Sequence, residues 1–316
     1  MNFPVFDLHC DTASALLGPN MRSCGSLKTN SHHVDLDRAG ALAGYAQCFS
    51  CFTPEVGIPE GVMPVQAFER QLATIHRELE KNQSMIRQAF SASEIRENQT
   101  HGMMSALLTI EGPAGFDYDP ALLQDLYLVG FRISTLGWNG KNPLTGSHAT
   151  GGGLTDQGRE YVAEAQRLGM LVDVSHISDE GFWDIIDITQ RPVVATHSNS
   201  RSVCDHSRNL TDDMFRAICQ TGGVAGINVH KPFVGGSGDL DALCDHVFHF
   251  LELDPEGSHI ALGADLDGTD TTADGFTGVE SYPAFACRLL ERGLREEDLL
   301  KLFWNNAIGV IEGCCI

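Results

Sequence analysis

Residues 4–11 read PVFDLHCD, an apolar run that ends in a histidine, a cysteine and an aspartate. Side chains two apart on a strand point to one face, so His9 and Asp11 are expected on the same side and Cys10 on the other. Taken alone, H-x-D is also what a strand running out into a polar loop looks like. The rest of the chain decides between the two readings.

Seven more short apolar runs follow, bounded by turn residues. They are GYAQCFSC from residue 44, SALLTI from 105, LVGFRIST from 128 and MLVDVSH from 170, then PVVATHS from 192, GVAGINV from 223 and HIALGAD from 259. Most are almost continuously apolar, as parallel strands covered on both faces must be. Helix-compatible stretches lie between them. Residues 64–81 carry Val65, Phe68, Leu72, Ile75 and Leu79 at helical spacing. TDQGREYVAEAQRLG opens on a Thr155 or Asp156 cap and stops at Gly169, and TDDMFRAICQTGG repeats the plan from Thr211 to Gly222. Eight strands alternating with helices predict an α/β fold, a (β/α)8 TIM-like barrel. A doubly wound open sheet lacks its G-x-G-x-x-G after the first strand. No repeat, low-complexity tract or linker divides the chain, so residues 1–316 are read as a single domain. The glycine-rich TGSHATGGG at 145–153 reads as an active-site loop.

The chain has 316 residues, 42% of them apolar, and a formal net charge of −21. That balance argues against binding nucleic acid, which needs a basic patch. No run approaches the roughly 20 apolar residues of a membrane span, and no basic and apolar leader opens the sequence. A cytoplasmic protein is expected. Ten cysteines, several of them within apolar runs (Cys48, Cys51, Cys219 and Cys287), read as free thiols rather than disulfides or a thiolate zinc site. The pair Cys314–Cys315 stays open.

Side chains that hold metals or move protons gather at the carboxyl ends of five runs. PVFDLHCD ends in His9 and Asp11, SALLTIEG in Glu111, LVDVSH in His176, VVATHS in His197 and IALGAD in Asp265. Barrel active sites sit at that end of the strands. Imidazole nitrogen and carboxylate oxygen suit zinc. Three histidines, one aspartate and one glutamate suffice for two zinc ions only if a carboxylate is shared, and Glu111 is the natural bridge. Asp265 is then the spare carboxylate, free to take a proton from water and pass it to a leaving amine. Of the thirteen histidines, His32, His33, His76, His101, His230, His246, His249 and His259 lack this strand-end context and are read as solvated or core residues. His148, in the glycine-rich loop, and His206 stay open.

At these residues the chain resembles the renal or membrane dipeptidase family, peptidase family M19, nearly end to end. FDLHCDTA, LLTIEGPAGF, DVSHISDEGFWDI, PVVATHSNSRSVCDHSRNLTDD, GADLDGTD and LLKLFWNNAIGVIEG carry the resemblance in order. It implies a two-zinc barrel hydrolase acting on dipeptides, often tolerant of a D-residue at the C-terminal position. It further implies that His9 and Asp11 ligate one zinc, His176 and His197 the other, that Glu111 bridges, and that Asp265 is the catalytic acid and base. Arg208 resembles the arginine that grips the substrate carboxylate, a task suited to a bidentate guanidinium. The animal enzymes have a substrate-contacting histidine after the fourth strand where RISTLGWNGKNPL has Trp138. Substrate preference therefore does not transfer. The animal enzymes are also secreted and lipid-anchored, and without either signal the chain resembles a bacterial-type member. Two other readings use the same residues: an amidohydrolase-like enzyme acting on another small amide or lactam, and a metal-holding protein without catalysis. The sequence leaves oligomeric state open, a homodimer included.

Overall fold

The computed structural model describes residues 3–18, 21, 25–55, 58 and 60–314. Each of the eight apolar runs contains a strand, and a further short strand joins them. In chain order they are β1 (Val5–Cys10), β2 (Tyr45–Phe52), β3 (Ile86–Gln88), β4 (Met104–Glu111) and β5 (Phe131–Thr135), then β6 (Leu171–Asp173), β7 (Val193–Val194), β8 (Ala225–Ile227) and β9 (Ile260–Leu262). All pairings between them are parallel, running β7-β6-β5-β4-β2-β1-β9-β8. An isolated parallel bridge between Ala195 and Ala225 joins the end of β7 to β8. Eight strands thus come nearly full circle, and the TIM-like barrel stands.

Two details of the sequence reading are corrected. β3 was not anticipated: it is three residues long, includes Arg87 and Gln88, and so offers no apolar run to read. It pairs with the first half of β4 (Ile86 with Met104) while β5 pairs with the second half (Leu108 with Phe131). Residues 128–130, read as the start of a strand, instead end the helix Leu123–Val129. Leu128 is 70% exposed on that helix, so its apolarity does not mark a strand. Gly130 closes it at φ +117°, where a Cβ would lie 2.1 Å from Gln88 Nε2.

The helices start and stop where their caps lie. Thr155 accepts from Gly158 N–H to open Asp156–Leu168, which Gly169 ends at φ +85°. Thr211 accepts from Met214 N–H to open Asp212–Thr221, ended by Gly222. The helix Pro64–Lys81 lays Phe68 against Phe131 of β5, ring centroids 5.5 Å apart. A second apolar cluster packs Trp304, Ile308 and Ile311 against Phe6, Leu8 and Leu107. This packing holds β1 and β4 rigid, and both carry candidate site residues at their carboxyl ends.

The eight described cysteines are free thiols; Cys24 and Cys315 lie outside the described residues. Among the described residues no helix is long and apolar enough to cross a membrane.

Candidate active site

Glu111, the last residue of β4, is buried with its two oxygens turned to different neighbours. Oε2 lies 3.3 Å from His9 Nε2. Oε1 lies 2.9 Å from His176 Nε2 and 3.6 Å from His197 Nε2. On the Oε2 side, His9 Nε2 is 3.7 Å from Asp11 Oδ2 and 3.9 Å from Asp265 Oδ1. All six strand-end residues therefore meet around one carboxylate. Asp11 is not on the strand, as the two-residue spacing suggested; β1 ends at Cys10, and Asp11 reaches the cluster as the N-cap residue of Thr12–Ala15. His176 and Asp265 hold φ of +71° and +62°, a left-handed conformation that costs side-chain-bearing residues about 1–3 kcal/mol and gathers at functional sites.

Proton placement shows what the cluster accepts. His176 Nδ1 is 2.9 Å from Asn139 Oδ1, a carbonyl-type acceptor, so its ring proton sits on Nδ1. His197 Nδ1 is 2.7 Å from Thr196 Oγ1, whose own proton goes to Asp173 Oδ2 at 2.5 Å. Both Nε2 atoms are left as lone pairs, and they face each other at 2.9 Å. Burial holds both imidazoles well below their usual pKa, neutral as metal ligands must be. His9 Nε2, Asp11 Oδ1 and Glu111 Oε2 are buried without a hydrogen-bond partner among the described residues. Each such orphan costs about 1–3 kcal/mol unless something fills the gap. Burial works to lower the His9 pKa, but the Glu111 and Asp11 carboxylates outweigh it and lift it well above normal. Burial also raises Glu111 to about 7. Opposed lone pairs on one side and crowded carboxylates on the other fit cations on both sides of Glu111. Two groupings, His9–Glu111–His197 and His9–Asp11–Asp265, bring ligand atoms within 4.8 Å of one another.

A cavity of about 310 Å³ opens over this cluster, lined by Asp11, Glu111, His176 and Asp265 at its floor. Arg208 and Trp138, the two expected substrate contacts, both line it. The Arg208 side chain is buried rather than solvated, and burial lowers its pKa. Its hydrogen bonds are long, Nη1 to Ser198 Oγ at 3.3 Å and Nη2 to the His197 carbonyl at 3.4 Å, and Nε has no partner among the described residues. The guanidinium therefore keeps donors for a ligand. Trp138 donates its main-chain N–H to Glu55 and sets its ring against Phe52, centroids 5.2 Å apart.

The structure adds residues that the sequence reading missed. Asn139, beside Trp138, accepts from His176 and lies 2.9 Å from His148 Nε2. Asn228, on the loop after β8, donates Nδ2–H to Asp265 Oδ2 at 3.1 Å and to the His197 carbonyl at 3.2 Å. Burial raises Asp265 to about 6, within reach of acid–base work near neutrality. His148 and His206, left open, both line the cavity, and so does His230. Reading His230 as a residue away from the site is thus corrected: its Nδ1, 3.1 Å from the Thr271 carbonyl, anchors the ring at the cavity wall beside Phe233. The run GVAGINVH did give a sign of this, since Asn228 and His230 follow a strand as the other site residues do.

Similarity to known proteins agrees with this geometry. The family model for membrane dipeptidase (peptidase family M19) matches residues 1–314. A Klebsiella pneumoniae protein encoded in the pqqA 5′ region is 32% identical over 263 residues, covering 79% of this chain and 96% of that one. Two uncharacterized dipeptidases of Schizosaccharomyces pombe match more partially, the chain covering 49% and 52% of their length. Among solved structures, a dipeptidase described as a family M19 metallopeptidase superposes with TM-score 0.90 at 26% identity, over 100% of this chain and 99% of that one. A Rhodobacter sphaeroides metallopeptidase, liganded with a phosphinate mimic of L-Ala-D-Ala, superposes with TM-score 0.88 at 27% identity, over 99% and 100%. The chain belongs to the membrane dipeptidase family, peptidase family M19, and is an enzyme of that metallopeptidase class.

Proposed function

We propose that this chain hydrolyses the peptide bond of free dipeptides, L,D-dipeptides among them, with two zinc ions held on either side of Glu111. The observation that carries the reading is the division of Glu111: one oxygen toward His9, the other toward the opposed His176 and His197 nitrogens. His9 and Asp11 would hold one ion, His176 and His197 the other, and Glu111 both. When bound, the zinc pair supplies Lewis acidity at the scissile carbonyl and makes water a nucleophile at neutral pH. The protein supplies the rest. Asp265, fixed by Asn228, takes the proton from the attacking water and returns it to the leaving amine. Arg208 pairs with the free carboxylate of the substrate, and Trp138 and Phe52 wall the cavity against water.

The L,D element is supported by the R. sphaeroides relative, whose bound mimic has a D-residue at the C-terminal position. Treating residues 1–316 as one hydrolase domain is supported by the span of the family match. Free thiols at all eight described cysteines support a reducing compartment such as the cytoplasm. The test is an assay of purified, zinc-replete protein on paired L,L and L,D dipeptides and their C-terminal amides. Cleavage of free dipeptides and poor cleavage of amides is expected. Equal cleavage of amides would favour the broader amidohydrolase reading, and no cleavage of either a metal-holding protein.

A further inference from the structure

We propose that Asp173 is a positioning residue that acts through the Thr196 hydroxyl to fix the ring proton of His197 on Nδ1, which keeps Nε2 bare for metal. The inference deepens the two-zinc reading and rests on it. Asp173 ends β6 and is buried. Its Oδ1 accepts from the main-chain N–H groups of Ser175 and Thr196, both at 2.9 Å. Its Oδ2 accepts the Thr196 hydroxyl proton at 2.5 Å. A hydroxyl has one proton. Once it is spent on Asp173, Thr196 Oγ1 can only accept from His197 Nδ1 at 2.7 Å.

The consequence lies on the other side of the ring. Two imidazole nitrogens 2.9 Å apart would settle most simply with a proton between them, as an N–H···N hydrogen bond. The Asp173–Thr196 relay denies that proton to His197, and Asn139 Oδ1 denies it to His176. The fold thus enforces a repulsive arrangement that only a cation relieves. The carboxylate end of the device also occurs on the opposite side of the centre. Asp7 Oδ1 accepts from His9 N–H at 2.9 Å and Oδ2 from Ala264 N–H at 2.8 Å. Each aspartate grips the N–H two residues ahead of it and the N–H just before a site residue that follows the neighbouring strand, Thr196 before His197 after β7 and Ala264 before Asp265 after β9. Only Asp173 adds the hydroxyl step that reaches the imidazole.

The test uses the full chain with Asp173→Asn, Thr196→Val and Thr196→Ser. In Asp173→Asn the amide can keep its oxygen toward the two N–H groups while its NH2 donates to Thr196, which frees the hydroxyl to donate to His197 Nδ1. Long-range ¹⁵N–¹H correlation spectra of the metal-free protein should show His197 as the Nδ1–H tautomer in wild type and Thr196→Ser. They should show Nε2–H in Asp173→Asn and Thr196→Val. Chelator competition with zinc should show one of two sites weakened about 10–100-fold in both latter variants, with the other unchanged and Thr196→Ser like wild type. If Asp173→Asn does not fold, Thr196→Val, which keeps every main-chain N–H, decides. Retention of the Nδ1–H tautomer with wild-type zinc affinity in Thr196→Val would overturn the proposal. Wild-type protein that binds no zinc pair would overturn the functional reading instead, while the metal-free spectra still judge the relay.

Discussion

His176 Nε2 and His197 Nε2 stand 2.9 Å apart with neither nitrogen carrying the ring proton, and Glu111 Oε1 completes the triangle at 2.9 and 3.6 Å. Neutral lone pairs and a carboxylate oxygen do not gather in a buried space without a positive charge to hold them together. The second Glu111 oxygen faces His9, so the same carboxylate belongs to both halves of the centre. From that relationship the roles of the surrounding residues follow, and each can be measured.

Asp265 is close enough to His9 Nε2, at 3.9 Å, to be either a ligand or a proton carrier. The hydrogen bond from Asn228 and the pKa raised by burial to about 6 favour the second role. Asp265→Asn should keep both metals and lose on the order of 10²–10⁴-fold in kcat. Elemental analysis alongside the assay checks this, and loss of metal with activity would make Asp265 a ligand.

On the proposed reading, Arg208 senses substrate length. A dipeptide carries its free carboxylate one residue beyond the scissile bond, and a buried guanidinium with unspent donors lies over the centre to meet it. Arg208→Ala should cost about 2–5 kcal/mol in kcat/KM for free dipeptides, much less for their C-terminal amides, and leave metal content unchanged. Equal losses on acids and amides would show that Arg208 does not contact the carboxylate.

Gly268 is the one residue that fits between two site carboxylates. A Cβ there would lie 2.3 Å from Asp11 Oδ2 and 2.4 Å from Asp265 Oδ1. Gly268→Ala must displace one of them, and a misplacement of about 1 Å at a reacting centre costs on the order of 10²-fold. Activity should fall by that order while the metal-free protein melts within a few degrees of wild type. Undiminished activity would mean that neither carboxylate needs its present position.

Away from the centre, His246 makes folding sensitive to acid. It is buried, accepts from Ser200 N–H on Nδ1 and meets the Val234 carbonyl with Nε2. Burial lowers its pKa to about 4, from the ordinary 6.5. Between those values the unfolded chain takes up a proton that the folded chain refuses, so stability drops as pH falls through the window. The contribution reaches about 3 kcal/mol. Urea unfolding of His246→Gln from pH 7 to 4.5 should show a shallower loss than wild type, even if the variant starts less stable. An unchanged slope would place the acid sensitivity elsewhere.

The barrel and the centre were legible because both rest on local pattern. Continuous apolar runs announce buried parallel strands, and His9, Glu111, His176, His197 and Asp265 each close such a run or follow it within a short turn. Asn139, Asn228 and Asp173 were not legible as site residues. Their roles depend on which hydrogen-bond partner sits across the barrel, and no local spacing records that. His230 was misjudged for the same reason, since Phe233 and the Thr271 carbonyl bring it to the cavity wall. β3 escaped because three residues with two polar side chains carry no period. Asp11 reached its neighbours by a turn rather than by strand alternation, so the expected proximity held for a different geometric reason.

The central claim is that Glu111 joins two metal ions, and counting them tests it most directly. Zinc-edge anomalous diffraction from metal-replete crystals, with elemental analysis of the same protein, should give two ions per chain about 3.5–4 Å apart, one on each side of Glu111. Glu111→Gln should lower the occupancy of both. A single ion per chain in metal-replete buffer, or two ions that remain fully occupied in Glu111→Gln, would contradict the account.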